Sequence, residues 1–164
     1  MKKLILTLSI LLITIISYGQ HQTISVNGIE LDKHYTQSQI YNILGTPKSI
    51  KPDESEPWLS WYDYNNSYFA FSNEDWELFT FTIKDPIYKV NNYLTVGMHS
   101  DSIKAMIGYL TPEKNADEDS SFLYWAPSKE YRDNVGYIQI WVNRKTRKIE
   151  MISLVTQEMF WYYM

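Results

Sequence analysis

Residues 97–108, GMHSDSIKAMIG, have a counterpart in residues 34–45, HYTQSQIYNILG, at an offset of 63 positions (97 against 34). Ile40 aligns with Ile103, Ile43 with Met106, Leu44 with Ile107 and Gly45 with Gly108. In the earlier copy Thr36 stands where an N-cap is needed, and Ile40, Ile43 and Leu44 fall at i, i+3, i+4, one apolar stripe of a short helix. Gly45 supplies the left-handed residue that ends such a helix, and Pro47 blocks its continuation. In the later copy Ser100 caps, and Asp101 lies in the first turn, where the helix dipole favours an anion. Ile103, Met106 and Ile107 then form the stripe before Gly108. Helices this short are marginal alone, so each must lie on another element.

The segments after each helix have the character of strands. After a polar loop at 48–57 come 58–64, a turn at 65–67, 68–71, a turn at 72–75, and 76–83. In the last of these Phe79, Phe81 and Ile83 alternate with Thr80 and Thr82, a period of two that turns the three apolar residues inward. The second half offers 122–125, a long loop, 137–142, a turn at 143–146, and 149–155. Trp61-Tyr62 and Tyr124-Trp125 share the same offset as the helices. The turns are too short for crossovers, so antiparallel pairing is the default. The predicted fold is α+β: two tandem repeats, 20–86 and 87–164, each a short helix or helix pair packed on a three- to four-stranded antiparallel sheet. Asp85-Pro86 breaks the chain between them.

The N-terminus reads differently. Lys2 and Lys3 precede an uncharged apolar run at 4–16, and Ser17-Tyr18-Gly19 places small residues where a signal peptidase reads. Residues 1–19 are therefore expected to be a signal peptide, with a periplasmic or secreted protein beginning at Gln20. The run of about 13 residues falls short of the roughly 20 that span a bilayer. No stable membrane insertion is expected after cleavage; an uncleaved anchor is the alternative. There is no cysteine in the 164 residues, so neither a disulfide framework nor a lipobox exists and a hydrophobic core must supply the stability. The formal charge of −4 becomes −6 once Lys2 and Lys3 are removed, a poor match to nucleic acid or anionic lipid. Aromatic residues make up 16% of the chain, with 14 Tyr and 6 Trp. Such side chains either fill strands of a core or furnish a binding surface.

Leu94-Thr95-Val96-Gly97-Met98, a helix after them and Ile107-Gly108 resemble the VGM(T/S)…V…(L/V)G entry of the β-lactamase inhibitory protein family. They are similar also to the related SmpA/OmlA repeat of outer-membrane assembly lipoproteins. Strands 137–142 and 149–155 resemble the closing hairpin of the second inhibitor repeat. In the first unit His34-Tyr35 stand where the family prefers Gly-Met. The resemblance implies tandem helix-plus-sheet units whose sheets form a concave, aromatic surface for another protein, with an inserting hairpin beside it. The chain departs from both relatives: the inhibitors carry disulfides and the lipoproteins a lipidated cysteine.

Side chains for catalysis are sparse. His21, His34 and His99 share no metal-ligand spacing, and no nucleophile elbow or phosphate-cradling glycine loop occurs. The acidic groups at 53–56 and 117–119 lack the pattern of a calcium loop and read as solvated turns. No catalytic residue, metal or cofactor is expected. The basic run 144–148 sits on a hairpin tip, where it either keeps the turn wet or meets an acidic partner. The aromatic tail 159–163 is either a last strand buried on both faces or a surface for a groove or partner.

The expected function is that of an exported, non-enzymatic protein-binding module, an inhibitor or immunity-type protein with a protein partner. The alternative is a structural or assembly factor of the cell envelope of the SmpA/OmlA kind. Strand parity selects the surface. Ile138, Ile140 and Val142 share one face of their strand and suit a dry interface, leaving Tyr137 and Trp141 on the open face. In the first unit Tyr62, Tyr64 and Tyr68 are assigned outward, with the hairpin tip Asn73, Glu74 and Asp75 projecting beside them.

Overall fold

The computed structural model describes residues 23–31 and 33–157. The expected signal peptide, the start at Gln20, His21 and the tail 159–163 lie outside the described residues. The described chain opens with a hairpin of β1 (Ser25–Val26) and β2 (Ile29–Glu30), and then helix α1 (Gln37–Leu44). Four strands come next: β3 (Ser49–Pro52), β4 (Leu59–Tyr64), β5 (Ser67–Ser72) and β6 (Leu78–Ile83). A 3-10 helix (Ser100–Ala105) leads to β7 (Tyr109–Leu110), β8 (Lys114–Asn115) and β9 (Ser120–Ala126). Helix α2 (Lys129–Asn134), β10 (Gly136–Asn143) and β11 (Ile149–Thr156) complete it.

Two tandem units with separate sheets are not what forms. Strands β3 to β11 build one nine-stranded antiparallel sheet in the order β3-β4-β5-β6-β11-β10-β9-β7, with β8 beside β9. The join is between β6 and β11, where Ile83 faces Ile152 and Thr82 faces Ser153. Its physical cause is the edge problem: two half-sheets would each expose a row of unpaired amides, and pairing their last strands removes both rows. It also makes one core of what would have been two. A thin layer covers a single face of this sheet: Ile24, Val26 and Ile29 of the hairpin region, Ile40 and Leu44 of α1, Tyr88, Val90 and Leu94 of the linking loop, and Ile103. Against it lie Phe69, Phe71, Phe81, Ile83, Ile138, Ile140, Val142, Ile152 and Leu154, all essentially inaccessible. Residues 94–98, which carry the family resemblance, belong to this cover: Leu94 is buried, and the Gly97 N–H donates to the Ile149 carbonyl at 2.8 Å.

The two similar stretches fold differently. Helix α1 has the expected cap, strengthened into a capping box: Thr36 Oγ1 accepts from the Gln39 N–H at 3.3 Å, and Gln39 Oε1 accepts from the Thr36 N–H at 2.8 Å. Ile40 and Leu44 are buried, whereas Ile43 is 37% exposed. In the later copy the cap is His99, whose Nδ1 accepts from the Asp101 N–H, not Ser100. A tight 3-10 turn stops at Ala105, Met106 is extended, and the chain leaves before Ile107 can come round to the sheet. Ile103 is 1% exposed and Ile107 is 79% exposed, so the expected stripe is broken. The two glycines differ accordingly. Gly45 is required by its backbone, φ 88° with open space around it. Gly108 is required by crowding: a Cβ there would lie 2.7 Å from Trp125 Nε1 and nearer still to the Ala126 carbonyl oxygen.

Three further expectations are corrected. The stretch 48–57, read as a loop, contains the edge strand β3, with Pro52 at its end where no ladder donor is needed. The loop after Trp125 contains α2, capped by Ser128. Phe79 does not turn inward with Phe81 and Ile83. The β5–β6 register shifts so that Phe71 faces Leu78 while Ala70 faces Thr80, and this bulge sends Phe79 to the other face. There it meets the Trp58 ring edge-on at 5.2 Å.

Candidate protein-binding face

Alternation along β10 decides which side chains stand on the uncovered face. Ile138, Ile140 and Val142 are fully buried, so Tyr137, Gln139 and Trp141 point away from the core. In the neighbouring strand Phe122 faces Trp141 and Tyr124 faces Gln139, which places both of these rings on the same side. The result is an unbroken run of four aromatic rings. Centroids are 4.8 Å apart for Tyr137–Tyr124, 5.5 Å for Tyr124–Phe122 and 5.4 Å for Phe122–Trp141. All four are half-buried. Burial, and after it Tyr124, pushes the Tyr137 phenol above its usual range. It therefore stays a neutral hydrogen-bonding group wherever the protein operates near neutral pH.

The face continues across the join. Thr82 and Ser153 meet there through their hydroxyls at 3.2 Å, and Tyr68, opposite Thr82, is 41% exposed. Beyond it Trp61 lies on the same side, its Nε1–H held by Asp53 Oδ2 at 2.7 Å. That hydrogen bond is the first cause of the lowered pKa of Asp53. The carboxylates at 53–56 thus brace an edge of the face.

Of the eight residues expected to bind, Tyr68, Tyr137 and Trp141 share the open face. Tyr62 and Tyr64 do not: they are 4% and 3% exposed and belong to the core. Tyr62 packs against Phe71 at 5.5 Å and Trp76 at 5.4 Å, and Tyr64 against Phe69 at 5.5 Å. The reason lies between them. Asp63 could be buried only unpaired, at a prohibitive cost, so it goes to the open side and parity forces both tyrosines in. Burial pushes the ionisation of Tyr64 far upward, and its hydroxyl has no partner among the described residues. Asn73, Glu74 and Asp75 are exposed, and Asn73 donates its N–H to the Trp58 carbonyl at 2.8 Å and its Nδ2 to the Pro57 carbonyl at 2.9 Å. The Tyr35 N–H donates to the Asp75 carbonyl at 3.1 Å, and Trp76 packs on Tyr41 and Tyr62, tying this tip to the covered side.

Phe122 and Tyr124 were missed. In FLYW every residue is apolar, so the period of two is invisible without the register. The offset pair nonetheless carries the information: Trp61 and Tyr124 both face out, Tyr62 and Trp125 both face in.

The basic hairpin tip is engaged internally. Arg144 donates to the Asp117 carbonyl at 2.9 Å, Lys145 lies 2.6 Å from Asp119, and Arg147 grips Glu113 through two bonds of 2.6 and 2.8 Å. Arg147 first, with Ser121 also donating, holds the Glu113 carboxyl down at about 2. Among the described residues no group of three or more His, Asp or Glu is placed to hold a metal ion. None of their helices is long and apolar enough to cross a membrane.

No protein-family model matches the sequence, and no curated protein matches it. The chain is similar in structure to an extracellular protein containing an SCP domain from Bacillus anthracis str. Ames, with 13% identity and a TM-score of 0.46. That match covers 82% of this chain and 48% of the other. It is similar also to a cysteine-rich secretory protein from Staphylococcus aureus subsp. aureus Mu50, with 19% identity, a TM-score of 0.44, and coverage of 78% and 46%. The chain spans about half the length of each.

Proposed function

We propose that this chain is an exported, non-enzymatic protein-binding module that engages a folded partner through the open sheet face centred on Tyr137, Tyr124, Phe122 and Trp141. The supporting observation is the unbroken run of four rings on the uncovered face, opposite a complete core. A core that already holds Trp125, Phe69, Phe71 and Phe81 does not require these four rings for its own packing. Rigid aromatic area with polar tips is what protein interfaces enrich. Within this class an inhibitor or immunity-type role fits a surface that offers shape and stacking in place of reactive groups. The leader-like residues 1–19 support export.

The test is capture from the exported fraction of the producing cell by the immobilised protein, repeated with Trp141→Ala. A single stoichiometric soluble protein is expected. Trp141→Ala should weaken its binding by about 2 kcal/mol, or about thirtyfold in Kd. Its urea midpoint should shift little, since the ring is not in the core. Undiminished binding by the variant would overturn the assignment of the face, and recovery of envelope assembly components instead would favour a structural role.

A further inference from the structure

The two strands that join the halves of the sheet stay paired only briefly. After Ser153 faces Thr82, the Leu154 carbonyl is taken not by a backbone amide of β6 but by the Thr80 hydroxyl at 2.6 Å. The bulge at Phe79 then carries the start of β6 away from the end of β11. A cleft of about 450 Å³ opens where they part, walled by Trp58, Glu77, Phe79, Asn134, Thr156 and Gln157 among others. That volume lies within the roughly 300–1,000 Å³ of small-ligand sites.

The chemistry of its wall is one-sided. Glu77 is the sole ionisable residue on it among the described residues; it is half-buried, and no described side chain pairs with its carboxylate. Asn134 commits Nδ2 to the Glu130 carbonyl at 3.0 Å, and Gln157 commits Nε2 to the Arg132 carbonyl at 2.9 Å. Both amide oxygens are left as acceptors. The Thr156 hydroxyl is buried and has no partner among the described residues. Facing these oxygens are the rings of Trp58 and Phe79, packed edge-to-face. The Trp58 Nε1–H donates to Glu56 Oε2 at 2.5 Å, adding negative charge behind the indole. A carboxylate, neutral acceptors and aromatic rings together suit a cation that carries several N–H donors.

We propose that this cleft binds a primary ammonium group on an apolar stem, the chemistry of a lysine side chain. The ammonium meets Glu77 and the amide oxygens of Asn134 and Gln157, and the methylene stem lies along Trp58 and Phe79. The site is distinct from the four-ring face and does not depend on it.

The test is an amide-detected NMR titration of the mature chain with hexylammonium, with 1-hexanol as the neutral match and Glu77→Gln as the variant. No described side chain pairs with the Glu77 carboxylate, so the variant should fold, which its own spectrum checks. Hexylammonium should shift the Trp58 indole and the Asn134 and Gln157 amides saturably. Hexanol binding, and hexylammonium binding to Glu77→Gln, should each be weaker by about tenfold, the scale of one charge-assisted hydrogen bond. Equal binding of hexanol, an unaffected variant, or no saturable shift at these residues overturns the proposal. A blocked peptide, acetyl-Gly-Gly-Lys-Gly-Gly-amide, separates the sources. Tighter binding than hexylammonium supports a protein-borne lysine, and weaker binding supports a free amine.

Discussion

Tyr62→Ala is expected to destabilise the protein by about 3–5 kcal/mol, the range for truncating a buried aromatic. Total stability for a domain of this size is about 5–15 kcal/mol, so a large part of it would be lost. The ring is 4% exposed and is gripped by Phe71 and Trp76 beneath the segment that carries Tyr41. Removing it leaves a void at the centre of the first half of the sheet, where the surrounding rings cannot collapse without leaving their own contacts. Urea denaturation reads the change as a lowered midpoint at unchanged slope. An unfolding free energy within about 0.5 kcal/mol of wild type, the range of ordinary surface changes, would return Tyr62 to the surface.

The second large effect separates two residues only four positions apart. Ile103→Asp places a carboxylate under the sheet at a position 1% exposed, inside the hydrophobic core cluster. An uncompensated buried charge costs about 3–5 kcal/mol. Ile107→Asp adds the same charge at a position 79% exposed and should change stability by no more than about 0.5 kcal/mol. A regular helix would have buried both residues and made both substitutions damaging. Comparable losses from the two variants would restore the helix expected for residues 100–107 and reject the 3-10 turn.

What was legible in the sequence was local. Thr36 and Gln39 form a capping box from side chains three residues apart, and nothing distant has to cooperate. The same is true of Ile138, Ile140 and Val142, whose alternation with Tyr137, Gln139 and Trp141 is written in the strand itself. The later helix does not form because its likeness to the earlier one is a likeness of letters alone. Gly108 marks the close approach of Trp125 and Ala126 rather than a helix end, and that contact exists only once β9 is in place. The number of sheets was out of reach for a similar reason. The join rests on Ile83–Ile152 and Thr82–Ser153, pairs 69 and 71 residues apart (152 against 83, 153 against 82), and no local pattern encodes such a pairing.

At the candidate site the failure was one of parity. In LSWYDY the aromatic residues alone allow either face to be buried; Asp63 breaks the tie, and giving it weight would have turned Tyr62 and Tyr64 inward. In SSFLYWA there is no charged residue to break the tie, so Phe122 and Tyr124 emerge only from their register with Trp141 and Gln139. The bulge at Phe79 is invisible in the same way: FTFTI alternates cleanly in sequence, and the extra residue shows only against β5.

Hydroxyl-radical footprinting of the free protein measures residue by residue which rings face the core and which face away. Tyr124 and Trp125 are neighbours in the chain and differ in face. Trp125, 1% exposed, should be protected together with Tyr62 and Tyr64, while Tyr124, Trp141 and Tyr68 should oxidise several-fold faster. Oxidation of Trp125 and Tyr62 with protection of Tyr124 and Trp141 would place the four-ring run inside the core and contradict the proposed binding face.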